Sequence, residues 1–417
     1  IRVLKEAESL IEVGHHLTII GVGTGKTKKK KLKSGANLVI LGSDSYLAPL
    51  LRVMGLLRKF RHFLLGFLTC ALLFSLVICL RQETSSAVTT MLWTFIWGSL
   101  AGGFLLIGLR FIPAVRSLAR FCFAGIKSKL MNRAFLEELH NQKPDVVHCH
   151  DVHPLIACAT YKAQSDCLFV YDSHEIPEHQ LNVPRRVQRR CVHHVTRYSP
   201  TVDAFITVND EIADYLTSHY PKLNPATVLM NATKKLSEPL PEYDGRLHEA
   251  AGLPRSTRIL LFQGGFGKGR GLLALIRSAP MLPDGWALVF MGRGYHEEEL
   301  RAETSRLAPD AQKKVRFLPM VPQAELAQWT SGASIGSIIY EDLCMNHKLC
   351  SPNKLWEYPV AGVPILATDL PVMRRIISEE DTGWLIADPP QPEAVADLLK
   401  SIDEEQLARK KENCQRF

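Results

Sequence analysis

From residue 258 onward the chain repeats one pattern, an apolar run of strand length followed by a helical stretch. Strand-like runs occupy 258–263, 287–291, 315–318 and 333–340, with helical patterns at 271–279, 297–306 and 323–330 between them. Parallel strands cannot be joined by a tight turn, so a crossover long enough for a helix must intervene. An earlier series, 145–148, 167–171 and 204–208, is spaced in the same way. The fold class is therefore expected to be α/β, with two Rossmann-like domains.

Residues 351–362, SPNKLWEYPVAG, lie between the strand-like runs 333–340 and 363–367. Pro352, Asn353 and Lys354 are loop chemistry, and 355–361 suffice for about two helical turns. A lysine and backbone N–H groups at a helix start favour a phosphate. Glu357 follows three residues later on the same helix face. A cation for phosphate beside a carboxylate for sugar hydroxyls suits a nucleotide-sugar; the plainer alternative is a solvent-exposed Lys354–Glu357 pair.

This stretch resembles the C-terminal domain of the family-4 glycosyltransferases, retaining enzymes of the GT-B fold, and in particular a PNK-type sub-group of polysaccharide and lipid-linked glycan synthesis. There a PNK-x-x-E-Y run precedes an A-G-x-P strand, as in residues 352–365. The resemblance extends over nearly the whole chain. It implies two Rossmann-like domains facing a cleft, with Asn353 and Lys354 at the donor diphosphate and Glu357 at the nucleotide ribose.

Residues 263–271, QGGFGKGRG, join a strand to a helix. Gly264 and Gly265 let backbone approach a ligand, and Lys268 and Arg270 supply charge. The spacing does not fit G-x-G-x-x-G, and a solvated turn is the plain alternative. In the resembling family this loop reads G-R-x-x-x-x-K-G. Arg270 stands at the lysine position, whereas Gly265 replaces the arginine. The family also carries a glutamate eight positions before the one matched by Glu357; here that position is Leu349. Asn346 and the backbone around Cys350 and Ser351 are the substitutes expected at the donor sugar.

Residues 171–175, YDSHE, follow a strand-like run at its C-terminal end, where α/β sheets hold ligands. By resemblance, His174 of this D-x-H-E run is the catalytic histidine facing the donor sugar. His148, Cys149, His150, Asp151 and His153 are all metal-ligand types. Side chains along a strand end alternate between faces, which argues against a common ligand set. The family shows a similar H-x-H-D turn on the acceptor side, so His150 and Asp151 are expected there. No metal and no cofactor are expected, the nucleotide-sugar being a substrate.

The net charge of +8 is clustered at 26–33, 52–61, 110–129 and 185–197, a pattern suited to an anionic surface or a phosphorylated acceptor. The arginines at 185–197 lack interleaved aromatics, so no nucleic-acid partner is expected. Residues 63–80 and 91–112 are apolar, with no charge before Arg110; eighteen residues of helix span roughly 27 Å, close to a bilayer core. Basic flanks on both outer sides predict a hairpin with both ends cytoplasmic. Residues 21–27, GVGTGKT, miss a P-loop because the required first glycine is Ile20. With the lysines that follow, they read as a polar loop. The ten cysteines show no paired spacing and read as reduced thiols. The chain opens in a helical pattern without the strand that begins a Rossmann-like domain and closes in another, so a fragment at both ends is expected.

Together these readings predict an N-terminal acceptor-side domain at 1–61 and 113–235, an inserted transmembrane hairpin at 62–112, and a C-terminal nucleotide-sugar-binding domain at 236–417. The activity expected is retaining transfer of a sugar from a nucleotide-diphosphate sugar to a lipid-linked or polysaccharide acceptor. Its place is the cytoplasmic membrane face, among membrane lipids and anchored by two helices. The alternatives are a nucleotide-sugar epimerase of similar fold and a non-catalytic membrane scaffold with a degenerate donor site.

Overall fold

The computed structural model describes residues 2–48, 52, 113–233 and 238–417, with side chains from 125 onward in the helix that begins at Pro113. The chain divides into two compact units, Ile1–Val147 with His153–Phe169, and His148–Val152 with Val170–Phe417.

In the first unit β1 (Thr18–Gly23) pairs in parallel with β3 (Asn37–Gly42), and β2 (Lys28–Lys31) pairs antiparallel on the other side of β3. The lysine run expected to be a loop is thus a fully exposed edge strand. Four charged side chains there satisfy one neighbour and discourage a second. Lys29 reaches Glu138 at 3.0 Å. Val39 and Leu41 pack with Phe135 of the helix Pro113–Gln142 and with Ala157 of the helix Leu155–Lys162.

The second unit holds the C-terminal ends of β4 (Val146–His150) and β5 (Leu168–Ser173), then β6 (Ala204–Thr207) and β7 (Ala226–Val228), in the sheet order β4-β5-β6-β7. Its larger sheet is wholly parallel and contains β8 (Arg258–Gly265), β9 (Trp286–Arg293), β10 (Val315–Leu318), β11 (Ile335–Ile338), β12 (Ile365–Thr368) and β13 (Gly383–Ile386). The order is β10-β9-β8-β11-β12-β13, a doubly wound arrangement whose direction reverses between β8 and β11. Leu260, Phe262, Leu288 and Phe290 enter one core, and Ile259, Leu261, Val289 and Met291 another. Successive strand residues therefore fill opposite faces, which is why these strands read as continuous apolar runs.

Among the described residues no helix is long and apolar enough to cross a membrane. The longest, Pro113–Gln142, carries Arg116, Arg120, Lys127, Lys129, Arg133, Glu137 and Glu138. Each charge at a bilayer centre would cost about 2.5–3.5 kcal/mol. The expected hairpin at 62–112 lies outside the described residues, and the expected anchoring by two transmembrane helices at a cytoplasmic membrane face is corrected accordingly.

Candidate functional site

The segment 266–271 leaves the sheet after β8 and the segment 339–353 after β11, on either side of the reversal. Doubly wound sheets bind ligands at such a reversal, outside the C-terminal strand ends. Lys354 opens the helix Lys354–Val360 and is only 7% exposed. Its Nζ lies 5.1 Å from the Phe262 ring centroid and 5.9 Å from that of Tyr340. A methyl group on Gly264 would stand 3.4 Å from this nitrogen, so the amine faces the backbone of that glycine. Burial, then the charge of Arg270, push the amine down to about 8, with Glu357 opposing. An anion arriving beside it would relieve both penalties.

Glu357 is half-buried, and its Oε2 accepts from Gln263 Nε2 at 3.0 Å. Gln263 is itself fixed, its Oε1 accepting from Thr330 Oγ1 at 2.7 Å. Arg270 donates to the Gly265 carbonyl at 2.7 Å and stacks over Tyr340 at 5.7 Å. A Cβ at residue 265 would lie 3.0 Å from Arg270 Nη1, so the guanidinium fills the space beside the missing side chain. Lys268 and Asn353 are exposed at the same end of the sheet. Gly271 has φ +63°, and a methyl there would meet the Ile339 carbonyl at 2.1 Å. Only glycine lets the two loops cross so closely.

Asn346 and the side chains of Cys350 and Ser351 have partners within the protein. Asn346 clasps the backbone of Ile176, its Oδ1 accepting at 2.6 Å and its Nδ2 donating at 2.9 Å. Ser351 Oγ accepts from Asn209 Nδ2 at 3.1 Å, and Cys350 Sγ donates to the His347 carbonyl at 3.1 Å. Burial pushes the Cys350 thiol up to about 12, so it stays protonated.

His148 and His150 close β4 on one face, their rings stacked at 4.4 Å, while Cys149 is buried on the other. Strand alternation thus separates Cys149 from the histidines and keeps those two together. Asp172, fully buried near the end of β5, presents Oδ2 to His148 Nε2 at 3.5 Å, His150 Nδ1 at 3.3 Å and His174 Nε2 at 3.2 Å. Burial opposes its charge, but the imidazoles outweigh that and hold the carboxyl far below the usual carboxylate range. Asp151, at φ +61°, accepts from the His174 backbone N–H at 3.0 Å. Its Oδ2 stands 3.6 Å from His174 Nδ1, too long for a direct hydrogen bond.

Sequence reasoning missed Asn209, Gln263, Asp172 and one cavity. Asn209 is fully buried; its Oδ1 caps the helix Asp210–His219 through the Ile212 N–H at 2.8 Å, and its Nδ2 also reaches the Leu349 carbonyl at 2.9 Å. Asn before Asp-Glu was legible as a cap; a partner at residue 349 was not. The cavity, of about 380 Å³, lies at the ends of β9 and β10 against Gly292, Arg293, Phe317 and Met320. Gly292 pairs with Gly264, so the cavity lies one strand away from the backbone that Lys354 faces.

Residues 257–404 match the family described as glycosyl transferases group 1, and residues 102–232 match Glycosyltransferase Family 4. A phosphatidyl-myo-inositol mannosyltransferase of Mycobacterium tuberculosis H37Rv is 29% identical over 176 residues, 38% of this chain and 42% of that protein. The chain therefore matches less than half the length of this curated relative. The structure of Anabaena Alr3699/HepE in complex with UDP is similar at a TM-score of 0.55 and 16% identity, over 68% of this chain and 76% of that one. Sucrose-phosphate synthase from Thermosynechococcus elongatus is similar at 0.56 and 16%, over 70% and 73%. At such identities the likeness is one of fold, an α/β fold of the GT-B kind.

Proposed function

We propose that this chain, a glycosyltransferase of the family-4 type, moves a sugar from a nucleoside-diphosphate sugar to a hydroxyl acceptor with retention at the anomeric carbon. The observation that carries the reading is Lys354, a buried cation facing Gly264 where the parallel sheet reverses, three residues before Glu357. The diphosphate is assigned to Lys354, Arg270 and the backbone of Gly264 and Gly265, with Lys268 and Asn353 at its exposed side. The ribose falls to Glu357, oriented by Gln263, and the base to the cavity at Gly292 and Phe317. The UDP in the Anabaena structure supports a nucleoside diphosphate at a site of this fold.

As the bond from the anomeric carbon to the leaving phosphate breaks, negative charge gathers on the diphosphate, where Lys354 and Arg270 offset it without reorganising. The acceptor oxygen attacks from the same face and passes its proton to the departing phosphate oxygen. The products are the glycosylated acceptor and a protonated nucleoside diphosphate. The Cys350–Ser351 backbone holds the sugar from one side. His174 faces it from the other, and a hydroxyl can donate into the gap between His174 Nδ1 and Asp151 Oδ2. The acceptor is assigned, with His150 and Asp151 beside it, as the polyol headgroup of a lipid-linked intermediate or a glycan; the mannosyltransferase relative, named for a phosphoinositide, supports this class.

Thermal shift with a panel of UDP-, GDP- and ADP-sugars, on the wild-type chain and Glu357→Ala, tests the assignment. One nucleotide series should raise the melting temperature of the wild type and leave the variant unmoved. No shift with any member overturns it.

A further inference from the structure

We propose that His148, His150, Asp172 and His174 form a four-coordinate site for a divalent metal ion of the zinc type. The four groups come from the C-terminal ends of two strands, β4 and β5, where Asp172 Oδ2 faces all three imidazoles. Asp172 Oδ2 lies 3.5, 3.3 and 3.2 Å from His148 Nε2, His150 Nδ1 and His174 Nε2, and the last two nitrogens are 3.1 Å apart. A zinc ion bound at 2.0–2.1 Å by imidazole and carboxylate has tetrahedral ligand-to-ligand edges of about 3.3 Å. Four of the six edges are thus given, and all four lie close to that length.

Hydrogen bonds cover only part of the contacts among these atoms. His150 Nδ1, His174 Nε2 and Asp172 Oδ2 form a triangle in which every side is of hydrogen-bond length. A carboxylate brings no proton and each ring nitrogen at most one, so two sides at most can be hydrogen bonds. The third then opposes either two N–H groups or two lone pairs. A cation at the centre takes all the lone pairs at once. Three imidazoles and one carboxylate form a ligand set that zinc accepts. The carboxylate is fully buried, whereas the three histidine side chains are 24, 21 and 23% exposed, which leaves a way in for the ion. The site departs from the metal independence that the family resemblance implies. It uses neither Lys354 nor Glu357, so its failure would leave the donor assignment untouched, and the reverse also holds.

The test is titration of the whole chain, stripped with chelator, with Co²⁺ followed by visible absorption, and with Zn²⁺ followed by elemental analysis after desalting. One ion per chain and the intense d–d bands of four-coordinate cobalt are expected. His148→Gln and His150→Gln should each weaken binding at least tenfold, and together at least a hundredfold, with circular dichroism in chelator unchanged. If one substitution unfolds the chain, the other carries the test. Absent stoichiometric metal, six-coordinate cobalt spectra, or binding that survives both substitutions, as a cysteine site would, each overturns the proposal.

Discussion

Replacing Lys354 by methionine is expected to stabilise the donor-free protein while abolishing donor binding. In the folded chain, burial and Arg270 hold this amine at about 8, against 10.5 for an ordinary lysine. At 1.36 kcal/mol per pH unit, keeping it charged inside the fold at neutral pH costs about 3 kcal/mol. Methionine escapes that cost and fills most of the same volume. It forfeits the cation–π contacts to Phe262 at 5.1 Å and Tyr340 at 5.9 Å, together about 1–2 kcal/mol. The net gain is about 2 kcal/mol at pH 7. Between 8 and 10.5 the unfolded wild-type chain holds a proton that the folded chain has shed. Wild-type stability therefore rises with pH across that window, and the advantage of the variant shrinks. Urea denaturation of both proteins at about pH 7 and pH 10 reads the difference, and other titrating groups cancel between them. A variant less stable than wild type at pH 7, or an advantage unchanged at pH 10, would refute the reasoning.

Two further substitutions probe the support beneath the site. Asn209→Ala removes a helix cap and strands the Leu349 carbonyl and Ser351 hydroxyl; a loss of about 3 kcal/mol in urea and weaker donor binding are expected, and a loss below about 1 kcal/mol would deny the residue its positioning role. Gly336→Ala would set a methyl 2.3 Å from the fully buried Tyr358 ring, whose hydroxyl accepts from the Gln263 N–H at 3.2 Å and donates to the Leu261 carbonyl at 3.0 Å. Overpacking and the shifted hydroxyl should cost about 3 kcal/mol, read as a lower thermal midpoint; an unchanged midpoint would mean that the ring can move.

The order of strands and helices was legible because it depends on near neighbours in the chain. Leu260, Phe262, Leu288 and Phe290 are apolar on one face of the sheet, and their alternate neighbours on the other. A run of that length, followed by a helical stretch, fits a strand buried on both faces of a parallel sheet. Lys354 and Glu357 were legible for the same reason, three residues apart at the start of one helix. The lysine run 28–31 misled, because its charge signals exposure and an edge strand is exposed too.

Only the tertiary structure decided which side chains remain for a ligand. Asn346 looked available beside the donor loop until the fold set it against Ile176, 170 residues away. Arg270 looked like one cation among several until its guanidinium came to fill the space beside Gly265. Asp172 was one letter of the YDSHE run, and nothing local placed its oxygen among three imidazoles, two of them from the neighbouring strand. Periodicity tells which face a residue takes, since that follows from the backbone repeat. Which groups meet across strands and loops depends on register and on the crossing of distant segments, and these are properties of the packed chain.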